Sequence, residues 1–564
     1  MTTRRLCVPA ALLVGLLGAA CAQPPAPTAV PAVPSPDAPD AKVALDTVSA
    51  DRVKAHMTTL ADDTMEGRGP GTPGYERALQ YVEGTIREMG LAPAGEAGGF
   101  RQRVPLRNGT VSADESRIAI TGPSGRHTLQ YGVDALLGAD HLRETVTLDD
   151  APVVFVGYGV SAPMLGYDDY AQAGDLTGKV VAYLSGAPAK FPSNERAYFS
   201  SGAVKDAEAA KRGAIGTVSF TTPDDPRFRW EVSVATSAQG GFSWIDADGR
   251  PNRGDAALRG AVSLNHSGVA RLFEGTPKPL ARIFADAAAS VPQAVPLPTR
   301  LSVTTRTRHR AVESANLVAK LEGSDPTLQQ EHVVYVAHID HFGVGTPMHG
   351  DAIYNGAHDN ASGVAIVLEV ARAYRALPTP PRRSVIFLFV TAEEWGLLGS
   401  DYFARNPTVP KASLVANLSL DMPFLYHRLV DIVPYGAQHS TLADPVAKAA
   451  AHLGVGLATD PIPEQVLFIR SDHFSFIRQG IPALFIKSGF QTGDPSKDGS
   501  AINAGYRRDV YHKPNDDMSQ AFDFEAGAMH ARLNFLIGWL VAQTEARPGW
   551  NPGDFFGQVF GPKS

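Results

Sequence analysis

Between residues 51 and 91 the pattern is helical: Tyr75, Leu79, Val82, Ile86 and Met89 recur at three- and four-residue steps, and Gly90 follows where a C-cap would stop the helix. That stripe predicts an amphipathic helix with one packed face. From about Phe100 to Arg306 the texture changes to short apolar runs, such as Pro152-Val153-Val154-Phe155-Val156 and Lys179-Val180-Val181-Ala182-Tyr183-Leu184, broken by Gly, Pro and Asp. These predict a separate β-rich module. From Asn316 onward β-branched runs alternate with helical patterns, which predicts an α/β domain on a mostly parallel sheet. Val385 to Val390 predicts a core strand and Phe535 to Ala542 a core helix, both too short to cross a bilayer. On these changes the chain divides into a leader (1–20), a linker (21–44), a first part of the α/β domain (45–100), the β-rich insert (101–305), the second part of the α/β domain (306–548) and a tail (549–564).

The leader is an address. Arg4 and Arg5 precede an apolar stretch from Leu6 to Leu17, then Gly18-Ala19-Ala20 and Cys21, which predicts export. Cys21 after small residues resembles the lipobox of bacterial lipoproteins, although Gly18 stands where Leu is usual. Ala20-Cys21-Ala22 also fits an ordinary A-x-A cleavage. The expectation is a cell-envelope lipoprotein anchored through Cys21, or otherwise a periplasmic or secreted protein. The linker is dense in Pro and Ala, from Pro24 to Pro39, and predicts a polyproline-prone tether.

Composition narrows the chemistry. The 564 residues, 44% hydrophobic and 19% charged, are those of a globular chain long enough for several domains. A formal charge of −7 gives no basic footprint for nucleic acid. Cys7 and Cys21 are the only cysteines, so the folded body can hold no disulfide, thiolate metal site or cysteine nucleophile.

Open α/β sheets bind ligands beyond the carboxyl ends of their strands. Three predicted strands end there in acids or histidines. His332 to Ala337 runs into His338-Ile339-Asp340, Val385 to Val390 into Thr391-Ala392-Glu393-Glu394, and Leu414 to Leu420 into Asp421. The turn from Gly356 to Gly363, with His358-Asp359-Asn360, opens an apolar helix, and Tyr511-His512 lies in a late loop. Imidazole and carboxylate without thiolate suit zinc and some other divalent metals. Singly, each of these residues has an ordinary structural explanation; an H-x-D is commonly a packing feature, and acids at a helix start answer its dipole. Their common order at strand ends is what points to one site.

The ordered series H-x-D, G-x-x-D-x-x-S-G, A-E-E-x-G-x-x-G-S, D-M and Y-H resembles the dizinc exopeptidases that include bacterial leucyl-type aminopeptidases and glutamate carboxypeptidase II. Leu60-Ala61-Asp62-Asp63, Glu66-Gly67-Arg68-Gly69 and Met89-Gly90-Leu91 resemble the start of their catalytic domain. Val156-Gly157-Tyr158-Gly159-Val160 and Tyr167-Asp168-Asp169-Tyr170 resemble their protease-associated insert. The resemblance implies a mostly parallel sheet sandwiched by helices and two zinc ions bridged by Asp359 and a water or hydroxide. His338 and Asp421 would complete one shell, Glu394 and His512 the other. Glu393 would be the general base. Asp340 would accept the His338 ring N–H and raise its basicity.

His341, His349 and His358 are expected to be structural or outer-shell residues. Arg470 and Arg478 are expected to be surface charges. Ser471-Asp472-His473 cannot be a serine triad, because consecutive residues cannot face one another as nucleophile, base and orienter. The resemblance implies an aminopeptidase acting on peptide or protein N-termini, with carboxypeptidase, glutaminyl cyclisation and receptor-like binding without catalysis as its rivals. Side-chain preference and oligomeric state are not written in these motifs.

Overall fold

The computed structural model describes residues 35–225 and 228–562. The leader, Cys21 and the linker up to residue 34 therefore lie outside the described residues. Four parallel strands form the centre, in the order Ser384–Val390, His332–His338, Leu414–Ser419 and Ala483–Ser488. The end of Val295–Leu321 pairs antiparallel along one side, Leu317 opposite Phe389, and Asp431–Tyr435 runs antiparallel along the other.

Period-two alternation divides these strands between two cores. Val333, Tyr335 and Ala337 enter one layer with Val385, Phe387 and Phe389. Val334, Val336, Ile386, Leu388 and Val390 enter the other. The first layer is covered by the helices Ala50–Leu60, Ser362–Ala376 and Phe524–Gln543, the second by Leu398–Arg405, His473–Ile477 and Phe555–Phe560. Burial on both faces explains why the strands carry no polar alternation. All seven residues of Ser384–Val390 are buried.

The helical pattern expected from 51 to 91 is two helices, Ala50–Leu60 and Pro73–Glu88. Asp62 caps the intervening turn, and Gly67 with Gly71 takes positive φ there, which ends one helix before Pro73 starts the next. Tyr75, Leu79, Val82 and Ile86 are buried as the stripe requires.

The insert has its own core, and it is mixed rather than purely β. Thr145–Phe155, Val180–Leu184, Gly216–Phe220 and Ala261–Leu264 pair in parallel, with helices including Gly202–Lys211, His266–Leu272 and Leu280–Ala288 between or beside them. Its later edge is not at residue 305. The 27-residue strand Val295–Leu321 begins against Thr145–Phe155, continues against Arg101–Val111 and finishes in the central sheet. One strand thus ties the insert to the α/β domain. Two other limits move for similar reasons. Residues 39–44, assigned to the linker, are helical from Pro39 to Leu45 and bury Ala41 and Ala44. The segment assigned to the tail forms Phe555–Phe560 and buries Phe555 and Phe556. No helix among the described residues is long and apolar enough to cross a membrane.

Candidate metal centre

The parallel strands deliver their carboxyl ends to one edge of the sheet. His338 closes its own strand, Glu393 and Glu394 follow Val390 within four residues, and Asp421 follows Ser419 by two. The fourth contribution is a loop, Gly356 to Ala361, which places Asp359 between the others. Gly356 enters it at φ +59°, and a Cβ there would meet the Asp359 carbonyl oxygen at 2.2 Å and the His341 ring at 2.6 Å. Asn360 ties this loop to the next ligand: its Nδ2 donates to the Leu420 carbonyl at 3.0 Å, and its Oδ1 accepts from Met422 at 3.0 Å and Gly363 at 2.9 Å.

Asp359 faces both ways. Its Oδ1 lies 3.4 Å from His338 Nε2, which in turn is 3.5 Å from Asp421 Oδ1. Its Oδ2 lies 3.2 Å from His512 Nε2, which is also 3.2 Å from Glu394 Oε2. Two donor groups therefore share one carboxylate. The ring nitrogens His338 Nε2 and His512 Nε2 and the oxygen Asp421 Oδ1 are buried without a hydrogen-bond partner. Buried polar atoms without partners are costly, and two divalent cations would satisfy all three. The donor set is nitrogen and oxygen only, and it fits zinc.

Glu393 is buried against the same cluster, with Oε2 3.9 Å from His338 Nε2. Burial, with Asp421, Asp472 and Glu394 nearby, pushes its carboxyl well above the usual range despite the opposing pull of His338. Asp359 stays well below its ordinary value: burial opposes ionisation, but the imidazoles of His338, His512 and His341 beside it outweigh that.

Asp340 plays a different part from the one expected. The His338 Nδ1 is 3.1 Å from the Asp340 carbonyl oxygen, while the nearest carboxylate oxygen is 3.8 Å away. The carboxylate instead accepts the backbone N–H groups of Glu393 and Glu394. A carbonyl two residues along the chain reaches the ring first, which frees the side chain for the neighbouring strand end.

His341 comes closer to the centre than expected. Its Nδ1 is 2.6 Å from Glu394 Oε1, and with Asp359 and Glu394 it makes a second possible donor triad. His349 is exposed on the Gly343–Tyr354 hairpin. His358 is buried among Phe424, Tyr426, Tyr506 and Phe522, and neither ring nitrogen has a partner. Arg470 is not a surface charge; it lines the pocket and donates to Tyr511 Oη at 2.9 Å. Arg478 is one-third exposed and pairs with Asp401 at 3.0 Å. Ser471 and His473 point apart: Ser471 Oγ meets Ser419 Oγ at 3.0 Å, and His473 stacks on Phe485.

Two supporting residues went unnoticed in the sequence. The carboxylate of Asp516 accepts the N–H groups of His358 at 2.9 Å and Asp359 at 3.0 Å. Arg68, fully buried, donates to the carbonyls of Leu60, Ile339, Asn355 and Gly356. Arg68 sits in the quoted Glu66-Gly67-Arg68-Gly69 run and Asp516 four residues after His512, so position relative to the motifs was the available signal.

Residues 316–535 match the model of peptidase family M28. Leupeptin-inactivating enzyme 1 of Streptomyces exfoliatus is 28% identical over 242 residues, covering 42% of this chain and 50% of that protein. A probable zinc metalloprotease of Pyrenophora tritici-repentis is 25% identical over 275 residues, covering 42% and 53%. The chain spans about half the length of these relatives. Among solved structures, an aminopeptidase from Aneurinibacillus sp. strain AM-1 shares the fold at TM-score 0.50 and 20% identity, over 93% of this chain and 98% of that one.

Proposed function

Because residues 316–535 match the model of peptidase family M28, we propose that the protein is an exported, zinc-dependent aminopeptidase that removes residues from peptide N-termini. The observation that carries this reading is the two-sided Asp359, with His338 and Asp421 on one side and His512 and Glu394 on the other. Those five side chains would hold two zinc ions. When bound, such a pair supplies Lewis acidity toward the scissile carbonyl and lowers the pKa of a shared water.

The chain's own residues supply the rest. Glu393 takes a proton from the attacking water on its carboxylate and passes it to the leaving amine nitrogen, a role its place beside the donor cluster suits. Asp340 fixes the backbone that carries Glu393 and Glu394. Asp516 and Asn360 hold the Asp359 loop from both sides. The acidic wall orients the substrate's α-amine. The insert, read as a protease-associated module, limits access: Arg229 donates to the carbonyl of Arg507, on the helix Gly499–Asp509 that lines the pocket, and Arg253 donates at 2.9 Å to the carbonyl of Gly396, two residues after Glu394.

The test is hydrolysis of aminoacyl substrates offered with free and N-acetylated α-amines, with zinc and after chelation. Cleavage confined to the free-amine forms and abolished by chelation is expected. Cleavage of N-acetylated peptides with free C-termini would replace the reading by carboxypeptidase, which the cations lining the pocket favour. Export and the lipid anchor rest on Arg4, Arg5, the apolar stretch and Cys21. Mass spectrometry of the mature N-terminus should find diacylglycerol on Cys21; an unmodified terminus at Cys21 or Gln23 excludes the anchor.

A further inference from the structure

The pocket beside the metal-holding acids has a second wall of opposite charge, formed by Arg470, Lys487 and Arg507. Lys487 is the penultimate residue of the strand Ala483–Ser488, and Arg507 lies on the helix Gly499–Asp509. Lys487 Nζ donates to the carbonyl of Asp421 at 3.0 Å and to that of Met422, which leaves one ammonium proton uncommitted. Arg507 spends Nε on Asn503 Oδ1 at 2.9 Å, and its terminal nitrogens have no partner among the described residues. Arg470 donates one terminal nitrogen to Tyr511 Oη at 2.9 Å and reaches the Gln465 carbonyl with the other only at 3.5 Å. None of the three forms an ion pair with a carboxylate among the described residues, and burial together with mutual repulsion disfavours the charge on Arg507.

In a metal-loaded enzyme the acids of the opposite wall would offset these cations only in part. Asp359, Glu394 and Asp421 would spend their charge on the metal pair, which leaves Glu393 as the pocket's uncommitted carboxylate. Three cations partly removed from water and facing one free carboxylate carry an unmet electrostatic demand. A carboxylate meets it, because a guanidinium fork and an ammonium match its two oxygens.

We infer that Arg470, Lys487 and Arg507 form a carboxylate subsite, and that preferred substrates begin with an acidic residue. The inference rests on the aminopeptidase reading. An N-terminal Glu or Asp carries an amine for the acidic wall and a carboxylate for the basic wall within a single residue. Met422, Leu467 and Phe485, which line the same pocket, accept its methylene groups.

The experiment compares kcat/KM for glutamyl, glutaminyl and leucyl p-nitroanilides on the zinc-loaded enzyme, since Glu and Gln differ in charge and hardly in shape. Glutamyl should lead glutaminyl on the order of tenfold, the size of a charged hydrogen bond gained. Arg507→Gln and Lys487→Met should each reduce that ratio, and Arg507→Lys should restore part of the loss. A second arm compares Leu-Ala with its C-terminal amide; a preference for the free acid there, with none for Glu over Gln, keeps the carboxylate subsite and assigns it to the substrate's α-carboxylate. Calorimetry gives a readout apart from turnover: L-glutamate should bind more tightly than L-glutamine. Equal rates within both pairs and equal binding would overturn the inference while leaving an aminopeptidase. Cleavage of N-acetylated peptides alone would instead overturn the aminopeptidase reading and with it the assignment to an N-terminal side chain, and glutamate binding would then decide the subsite by itself.

Discussion

The carboxylate of Asp340 accepts the backbone N–H of Glu393 at 3.1 Å, and a second oxygen accepts that of Glu394 at 3.3 Å. One fully buried acid therefore fixes both the residue proposed to move a proton and the residue proposed to hold a cation. Asp340→Asn keeps the shape but turns an amide toward one of those N–H groups. Zinc affinity should fall by about 10–100-fold, the usual cost of losing a ligand's support. Competition with a chromophoric chelator measures it, and unchanged affinity would show that the turn holds itself.

Glu393 and Asp359 should separate chemistry from metal binding. Glu393→Gln removes a base that does not complete either donor group, so the variant should keep both zinc ions while turnover drops by about 10²–10⁴-fold. Asp359→Ala removes the carboxylate shared by His338 and His512, and its zinc content should fall. Elemental analysis beside single-turnover assays checks the pair. Near-normal turnover in metal-replete Glu393→Gln would remove Glu393 from the mechanism, and two tightly held zinc ions in Asp359→Ala would remove the bridge.

Arg68 is a structural counterpart to these residues. It buries a guanidinium whose partners are four backbone carbonyls from three segments of chain: Leu60, Ile339, and the adjacent Asn355 and Gly356. Arg68→Met would leave those carbonyls buried without donors, at about 1–3 kcal/mol for each one that finds no other partner. Denaturant unfolding should show a loss of at least that size, together with weaker zinc binding, because Ile339 and Gly356 flank His338 and the Asp359 loop. A loss under 1 kcal/mol would mean that water replaces the arginine.

His338, Glu394 and Asp421 were legible as candidates because each stands at or just beyond the end of an apolar strand, as Glu394 does after Val385 to Val390, whereas Asp359 and His512 lie in loops and were marked by the motif resemblance alone. What was hidden depends on contacts between distant segments. Asp340 follows His338 by two, so sequence proximity suggested a ring contact, yet its carboxylate turns to the adjacent strand end. Arg470 looked like an isolated surface charge because its neighbours Lys487 and Arg507 arrive from a later strand and a later helix. The limits of the insert failed for a related reason. Val295–Leu321 is one extended strand serving two units, and nothing in its local alternation marks where one ends. Residues 39–44 followed a proline-rich stretch, and their helix is held by burial of Ala41 and Ala44 rather than by a pattern that outweighed the prolines.

Several histidines away from the candidate metal centre set an acid limit on the fold. His56, His141 and His332 are buried, and burial lowers each ring from 6.5 to about 4. The unfolded chain binds protons near pH 6.5 that the folded rings refuse, so the unfolded state carries more protons between these values. The stability these neutral rings contribute is present above pH 6.5 and is lost as pH falls toward 4, approaching about 3 kcal/mol per ring. His332 stands at the start of its strand, six residues from His338, with Nδ1 2.9 Å from Ser413 Oγ, and it isolates this effect from acid release of metal. Thermal unfolding of the wild type should show Tm falling between pH 6.5 and 4.5, and His332→Gln, though less stable at pH 7, should fall with a shallower slope. Parallel slopes for the two proteins, measured with zinc and after its removal, would mean that His332 titrates freely in the folded state.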